Sequence, residues 1–107
     1  MSTPTKSGGE GKTPLSWAAS KGHELAVKQL LGREDVSPGK ADNSGKTPLW
    51  WAASQGHELA VQQLLGREDV YPNKPNNHGI TPLIEASASG HVRVVKQLFK
   101  PGRRQPR

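Results

Sequence analysis

The chain has 107 residues, no cysteine, a net charge of +6, only 32% apolar residues and a mean hydropathy of −0.73. Disulfides, thiolate metal sites and cysteine nucleophiles are therefore excluded, and no stretch approaches the roughly 18 apolar residues of a membrane-spanning helix. Such a composition suits a stack of small units sharing a thin apolar seam better than one round core.

Residues 1–10, "MSTPTKSGGE", lack the apolar stretch of a secretion signal and have almost nothing to bury. They are expected to be a flexible lead into a soluble protein, cytoplasmic or nuclear. The next residues complete "GGEGKTPL", which superficially resembles a phosphate-cradling loop. That loop needs a glycine five places before its Gly-Lys-Thr so that consecutive amides can curl around the phosphates. Lys6 stands there, no buried strand precedes it, and Pro14 has no amide hydrogen to offer.

The same letters instead mark a repeat. "GKTPL" starts at Gly11 and Gly45 and returns as "GITPL" at Gly79, a step of 34 residues each time. A fixed pitch belongs to a structural unit rather than to a catalytic loop.

In residues 11–44, Thr13 is a good N-cap and Pro14 suits a first helical turn, where a missing amide costs nothing. Leu15, Ala18 and Ala19 recur at i, i+3 and i+4 as a narrow apolar stripe. Gly22 ends the helix, since glycine accepts a left-handed C-cap without steric cost. A second helix is predicted over "HELAVKQLL", with Ala26, Val27, Leu30 and Leu31 on one side. The stretch "GREDVSPGKADNS" is rich in turn formers and reads as a long loop. Residues 45–78 repeat this plan, and residues 79–100 form a third, shorter unit. Helices of this length are unstable alone and must pack on copies of themselves.

"TPLSWAASKGHELAVKQLL", "TPLWWAASQGHELAVQQLL" and "TPLIEASASGHVRVVKQLF" resemble ankyrin repeats, over residues 11 to about 100. The variety is similar to that of long arrays in filamentous fungi, often attached to large signalling proteins. The resemblance implies an all-α solenoid of three stacked helix-turn-helix units. It also implies loops projecting as hairpin-like fingers and a non-catalytic role in protein binding on the concave side. No cofactor or metal is implied. The family's usual histidine after "TPL" is replaced by Ser16, Trp50 and Ile84, so a polar ladder between units is expected to be lost and packing to take its place. Leu25 and Leu59 stand where the family is often polar, and are expected to be exposed on the convex side.

The concave positions of the family correspond to Lys12, Lys21, Asn43, Ser44, Lys46, Gln55, Asn77, His78 and Ile80. Trp50 and Tyr71 join them as aromatic anchors, because the first unit has Ser16 and Ser37 at those places. For Trp50, replacement of the missing histidine in the core is the competing reading. Units one and two differ at 8 of 34 places, and five of these, from 37/71 to 44/78, fall in the loop. Loop side chains are free to serve a partner or to drift. Trp17 and Trp51, at equivalent helix positions, are expected to be interface packing. His23, His57 and His91 recur too far apart to share one metal ion and are expected to be structural.

The ends differ. The first unit is nearly identical to the second, whose N-terminal side must pack on a neighbour, so its own N-terminal side should be apolar and prone to self-association. The third unit carries Glu85, Arg93 and Lys96 and resembles a soluble C-terminal cap. Residues 79–107 hold six basic groups against Glu85, and the basic tail 101–107 is expected to be disordered. Nucleic-acid or anionic-surface binding through that end is the alternative to protein binding.

Overall fold

The computed structural model describes residues 11–99. The lead 1–10 and the basic tail lie outside the described residues, and so do the expectations placed on them.

Six helices follow in order: α1 (Pro14–Ser20), α2 (Glu24–Leu31), α3 (Pro48–Gln55), α4 (Glu58–Leu65), α5 (Pro82–Ala88) and α6 (Val92–Leu98). Each odd-numbered helix starts by the same chemistry. The hydroxyls of Thr13, Thr47 and Thr81 accept the amides of Ser16, Trp50 and Ile84 at 3.1 Å, with proline in the first turn. The amides left without an intrahelical partner are thus partly satisfied locally. Each odd helix then ends at a glycine of positive φ, +72° at Gly22 and +77° at Gly56 and Gly90.

The helices form two layers, with α1, α3 and α5 side by side and α2, α4 and α6 behind them. The molecule measures 48 × 29 × 27 Å, elongated along the stacking direction. Its seam is made of small and branched side chains: Leu15, Ala19, Val27, Leu49, Ala52, Ala53, Val61, Leu64 and Ala86 are at most 1% exposed. No helix among the described residues is long and apolar enough to cross a membrane.

The expected hairpin finger is a tighter object. Asp42 N donates to Lys46 O and Gly45 N to Asp42 O, and the same two bonds close Asn76–Ile80. The linkers between α2 and α3 and between α4 and α5 leave a closed turn there, and no strand occurs among the described residues.

Ser16 and Ile84 supply no side-chain rung after "TPL", as expected, but hydrogen bonds from other side chains, and not packing alone, join the units. A carbonyl oxygen only accepts, so His57 Nε2 donates to Ser20 O and His91 Nε2 to Ser54 O, both at 3.0 Å. Gly22 and Gly56 make room for these rings, since a Cβ on either would stand 2.6–2.7 Å from the next pair's Nδ1. Arg67 Nη1 donates to Leu31 O, Gln97 Nε2 to Glu58 O and Asn77 Nδ2 to Asn43 O. The rungs run from side chain to backbone carbonyl, so they depend little on the residue after "TPL".

Ser16 carries one cost of its replacement. It is fully buried, its amide is satisfied by Thr13, and its hydroxyl oxygen has no hydrogen-bond partner. A buried unsatisfied hydroxyl destabilises by roughly 1–3 kcal/mol. Ser16→Ala is therefore expected to raise stability by about 1 kcal/mol, read as a higher urea midpoint at unchanged slope.

Candidate binding surface

The exposed faces differ in character. Behind, Leu25 (74% exposed) and Leu59 (51%) stand on the outer side of the second layer, as expected. Arg33 and Asp35 form a bidentate pair in the exposed linker, whose hydrogen bonds hold the carboxyl below and the guanidinium above their usual ranges. A shallow groove of about 290 Å³ lies along Gly22, Glu24, Gly56 and His57–Ala60. The His57 ring at its edge is already committed to Ser20 O.

The front face, where the first helices meet the turns, holds an alternating stack of lysines and tryptophans. Lys12 Nζ lies 3.9 Å from the ring centroid of Trp17 and 3.7 Å from that of Trp51. Lys46 Nζ lies 4.9 Å from Trp51 and 4.7 Å from Trp50, and Lys21 Nζ reaches within 5.8 Å of Trp17. Trp50 and Trp51 meet edge to face with centroids 5.4 Å apart. An ammonium over an indole face gains about 0.5–1 kcal/mol at an exposed site and more when dry.

The indole N–H groups of Trp50 and Trp51 are spent internally. Trp51 Nε1 donates to Asp42 Oδ2 and Trp50 Nε1 to Ile80 O, each at 3.0 Å. The other Asp42 oxygen accepts the amides of Ser44 and Lys46, at 3.0 and 2.9 Å, so one carboxylate shapes the turn and holds the tryptophan.

The expected contact residues divide accordingly. Lys12, Lys21 and Lys46 belong to the stack. Asn43, Ser44, Asn77, His78 and Ile80 lie on the two turns, joined by Asn77 Nδ2 to Asn43 O, Asn77 N to Ser44 O, and the His78 and Ile80 amides to Asn76 Oδ1. Gln55 is exposed at the end of α3. Tyr71 is 59% exposed in the linker after α4. Trp50 follows the core reading and not that of an open anchor: it is 5% exposed, and its bond to the next turn makes it a joint between pairs.

Sequence reasoning missed the part played by Trp17 and Trp51. Trp17 is 37% exposed and Trp51 half-buried, and both are held by lysines that precede them by five residues. The signal was present as Lys-Thr-Pro-Leu-x-Trp in units one and two, lost in unit three where Ile80 and Glu85 stand. The 42/76 difference also has an internal reason. Asp42 accepts from Trp51, whereas the tryptophan equivalent near Asn76 is Glu85, which has no proton to donate when ionised. A second carboxylate at position 76 would face like charge, so asparagine keeps the turn without it.

A family model described as ankyrin repeats in three copies matches residues 15–105. The chain belongs to the ankyrin repeat family. Ankyrin repeats are generally protein–protein interaction modules built on a fold that is typically non-enzymatic. Among solved structures, the crystal structure of the human ASB11 ankyrin repeat domain matches with a TM-score of 0.78 and 31% identity over 85% of this chain. The chain spans 40% of that domain's length. No curated protein matches it.

Proposed function

We propose that this ankyrin array binds a protein partner, without catalysis, on the face formed by its first helices and turns. Supporting this is the separation of surface from scaffold: ten of the eleven expected contact residues, all but Trp50, are exposed or half-buried, while the seam behind them is closed. A rigid surface loses little entropy on binding, so modest contacts suffice.

Affinity capture of interacting proteins, compared between two double variants, tests the reading. Gln55→Ala with His78→Ala on the front face is expected to weaken the captured interaction at least about tenfold, a loss near 1.4 kcal/mol. Lys28→Ala with Gln62→Ala, exposed on the second layer, is expected to leave it unchanged. Equal effects would remove the front face from consideration.

Self-association through the N-terminal side of the first pair is favoured by a difference in burial at equivalent positions. Ala60, Leu64 and Val70 are at most 4% exposed, whereas Ala26, Leu30 and Val36 are only half-buried. Sedimentation velocity over a concentration series is expected to show mass rising with concentration. A monomer throughout, unfolding cooperatively well above about 60 °C, would contradict it.

A further inference from the structure

The two ends of the stack are open in complementary ways. On the N-terminal side of unit one, Ala26, Leu30 and Val36 are half-buried where their equivalents in unit two are closed. On the C-terminal side of unit three, Leu83 and Val95 are half-buried where Leu49 and Val61 are fully buried. The one apolar seam surfaces twice, through different residues.

The polar groups sort by role. At the internal junctions the later unit donates and the earlier one accepts: His57 Nε2 to Ser20 O, His91 Nε2 to Ser54 O and Arg67 Nη1 to Leu31 O. The same positions on the N-terminal side are His23 and Arg33, both exposed. Among the described residues His23 makes no such rung, and Arg33 spends Nε and Nη2 on Asp35, leaving Nη1, the atom with which Arg67 reaches across. Arg67 makes its rung while also holding Asp69, so the exposed pair is no obstacle. On the C-terminal side the equivalent carbonyls belong to Ala88 and Phe99, again exposed. Donors stand at one end and acceptors at the other.

Shape agrees with this. A Cβ on Gly22 or Gly56 would stand 2.6–2.7 Å from the imidazole seated there, whereas at Gly90 nothing lies within 4 Å. Where Arg93 reaches Glu58 at 3.8 Å between units two and three, the equivalent positions at an added junction are Leu25 and Val92, 74% and 64% exposed. Bringing them together covers two apolar side chains. Joining two N-terminal sides would set donor against donor and Arg33 against Arg33, and joining two C-terminal sides would set carbonyl against carbonyl. Only opposite ends match.

We propose that the N-terminal side of unit one docks on the C-terminal side of unit three of a second copy, continuing the internal junction. His23 enters the space at Gly90 and donates to Ala88 O, and Arg33 Nη1 donates to Phe99 O. The proposal rests on the self-association reading above and specifies the surface that answers the N-terminal side. Such a contact is heterologous, so each addition leaves one open end of each kind and growth continues unless a ring closes.

Sedimentation velocity on the full chain tests it with two blocked variants. Gly90→Asn fills the space meant for the imidazole, and asparagine tolerates a left-handed backbone. His23→Asp with Arg33→Glu sets carboxylates against the acceptor carbonyls; aspartate is a good N-cap, and the exposed ion pair lost is worth little. Wild-type mass is expected to pass that of two chains as concentration rises. Each blocked variant alone is expected to associate at least about tenfold more weakly. Their equimolar mixture, which retains one intact end of each kind, is expected to regain the wild-type affinity and to stop at two chains. Circular dichroism melts at the lowest concentration establish that each variant is folded. Should Gly90→Asn fail to fold, Val92→Glu serves as the C-terminal block, since it gives α6 the residue with which α2 and α4 begin.

A C-terminal block that associates as the wild type does would mean that two N-terminal sides pair, which overturns the proposal and leaves self-association standing. A mixture that stays monomeric while the wild type associates would also overturn it. A wild type that is monomeric throughout removes both readings.

Discussion

Leu64→Ala is expected to destabilise the array by about 2–5 kcal/mol. Leu64 is fully buried in α4, covered by neighbouring pairs on both sides. Its truncation removes transfer free energy and leaves a cavity that short stacked helices fill poorly. Small domains have only about 5–15 kcal/mol in total, so much of the folded population at moderate denaturant should disappear. The equivalent Leu30→Ala in α2 starts from a half-buried side chain and is expected to cost about half as much. Urea unfolding of both variants at matched concentration measures the difference. Equal costs would mean that Leu30 is covered as fully as Leu64 in solution, and a Leu30 cost that grows with protein concentration would identify another copy as the cover.

Gly56→Ala is expected to cost more than Gly90→Ala, although both glycines have φ of +77°. The left-handed backbone alone penalises a Cβ by roughly 1–2 kcal/mol, and both variants bear that. At Gly90 nothing stands within 4 Å of the added atom, whereas at Gly56 it would meet His91 Nδ1 at 2.7 Å. The ring must move, and its bond to Ser54 O is weakened or lost, adding about 1 kcal/mol. Thermal melts of the two variants, together with His91→Ala alone and combined with Gly56→Ala, measure the coupling. If the histidine rung carries the difference, the double variant costs less than the sum of its single variants. Full additivity would place the effect in the backbone only.

Helix starts, helix ends and the repeat itself were readable in the sequence because their causes lie within a few residues. Thr13, Thr47 and Thr81 cap by bonding three residues ahead, Pro14 and its equivalents fit a first turn, and Gly22, Gly56 and Gly90 take the positive φ that stops each first helix. The 34-residue step then turned one local pattern into a stack, since helices this short need neighbours. The exposure of Leu25 and Leu59 was implied by the family resemblance, since they stand where the family is often polar.

The contacts between repeats were less legible. His57, His91, Arg67 and Gln97 reach carbonyls 36–39 residues away, and a carbonyl has no letter of its own in a sequence. A rung made with it cannot be seen as a residue pair. Trp50 and Trp51 adjoin one another in the chain, yet the first is closed between pairs and the second stands over Lys12 and Lys46. Successive helical residues point about 100° apart, so their fates diverge once neighbours are placed.

By itself, the sequence determined the helices, their caps, the repeat and the apolar seam, because each arises from spacing within one unit or from identity between units. Only the tertiary structure decided which tryptophan is a joint, that Asp42 serves turn and indole together, and that lysines lie over the rings as an ordered stripe. Those outcomes depend on distances and directions between units, which arise when one backbone is laid against the next.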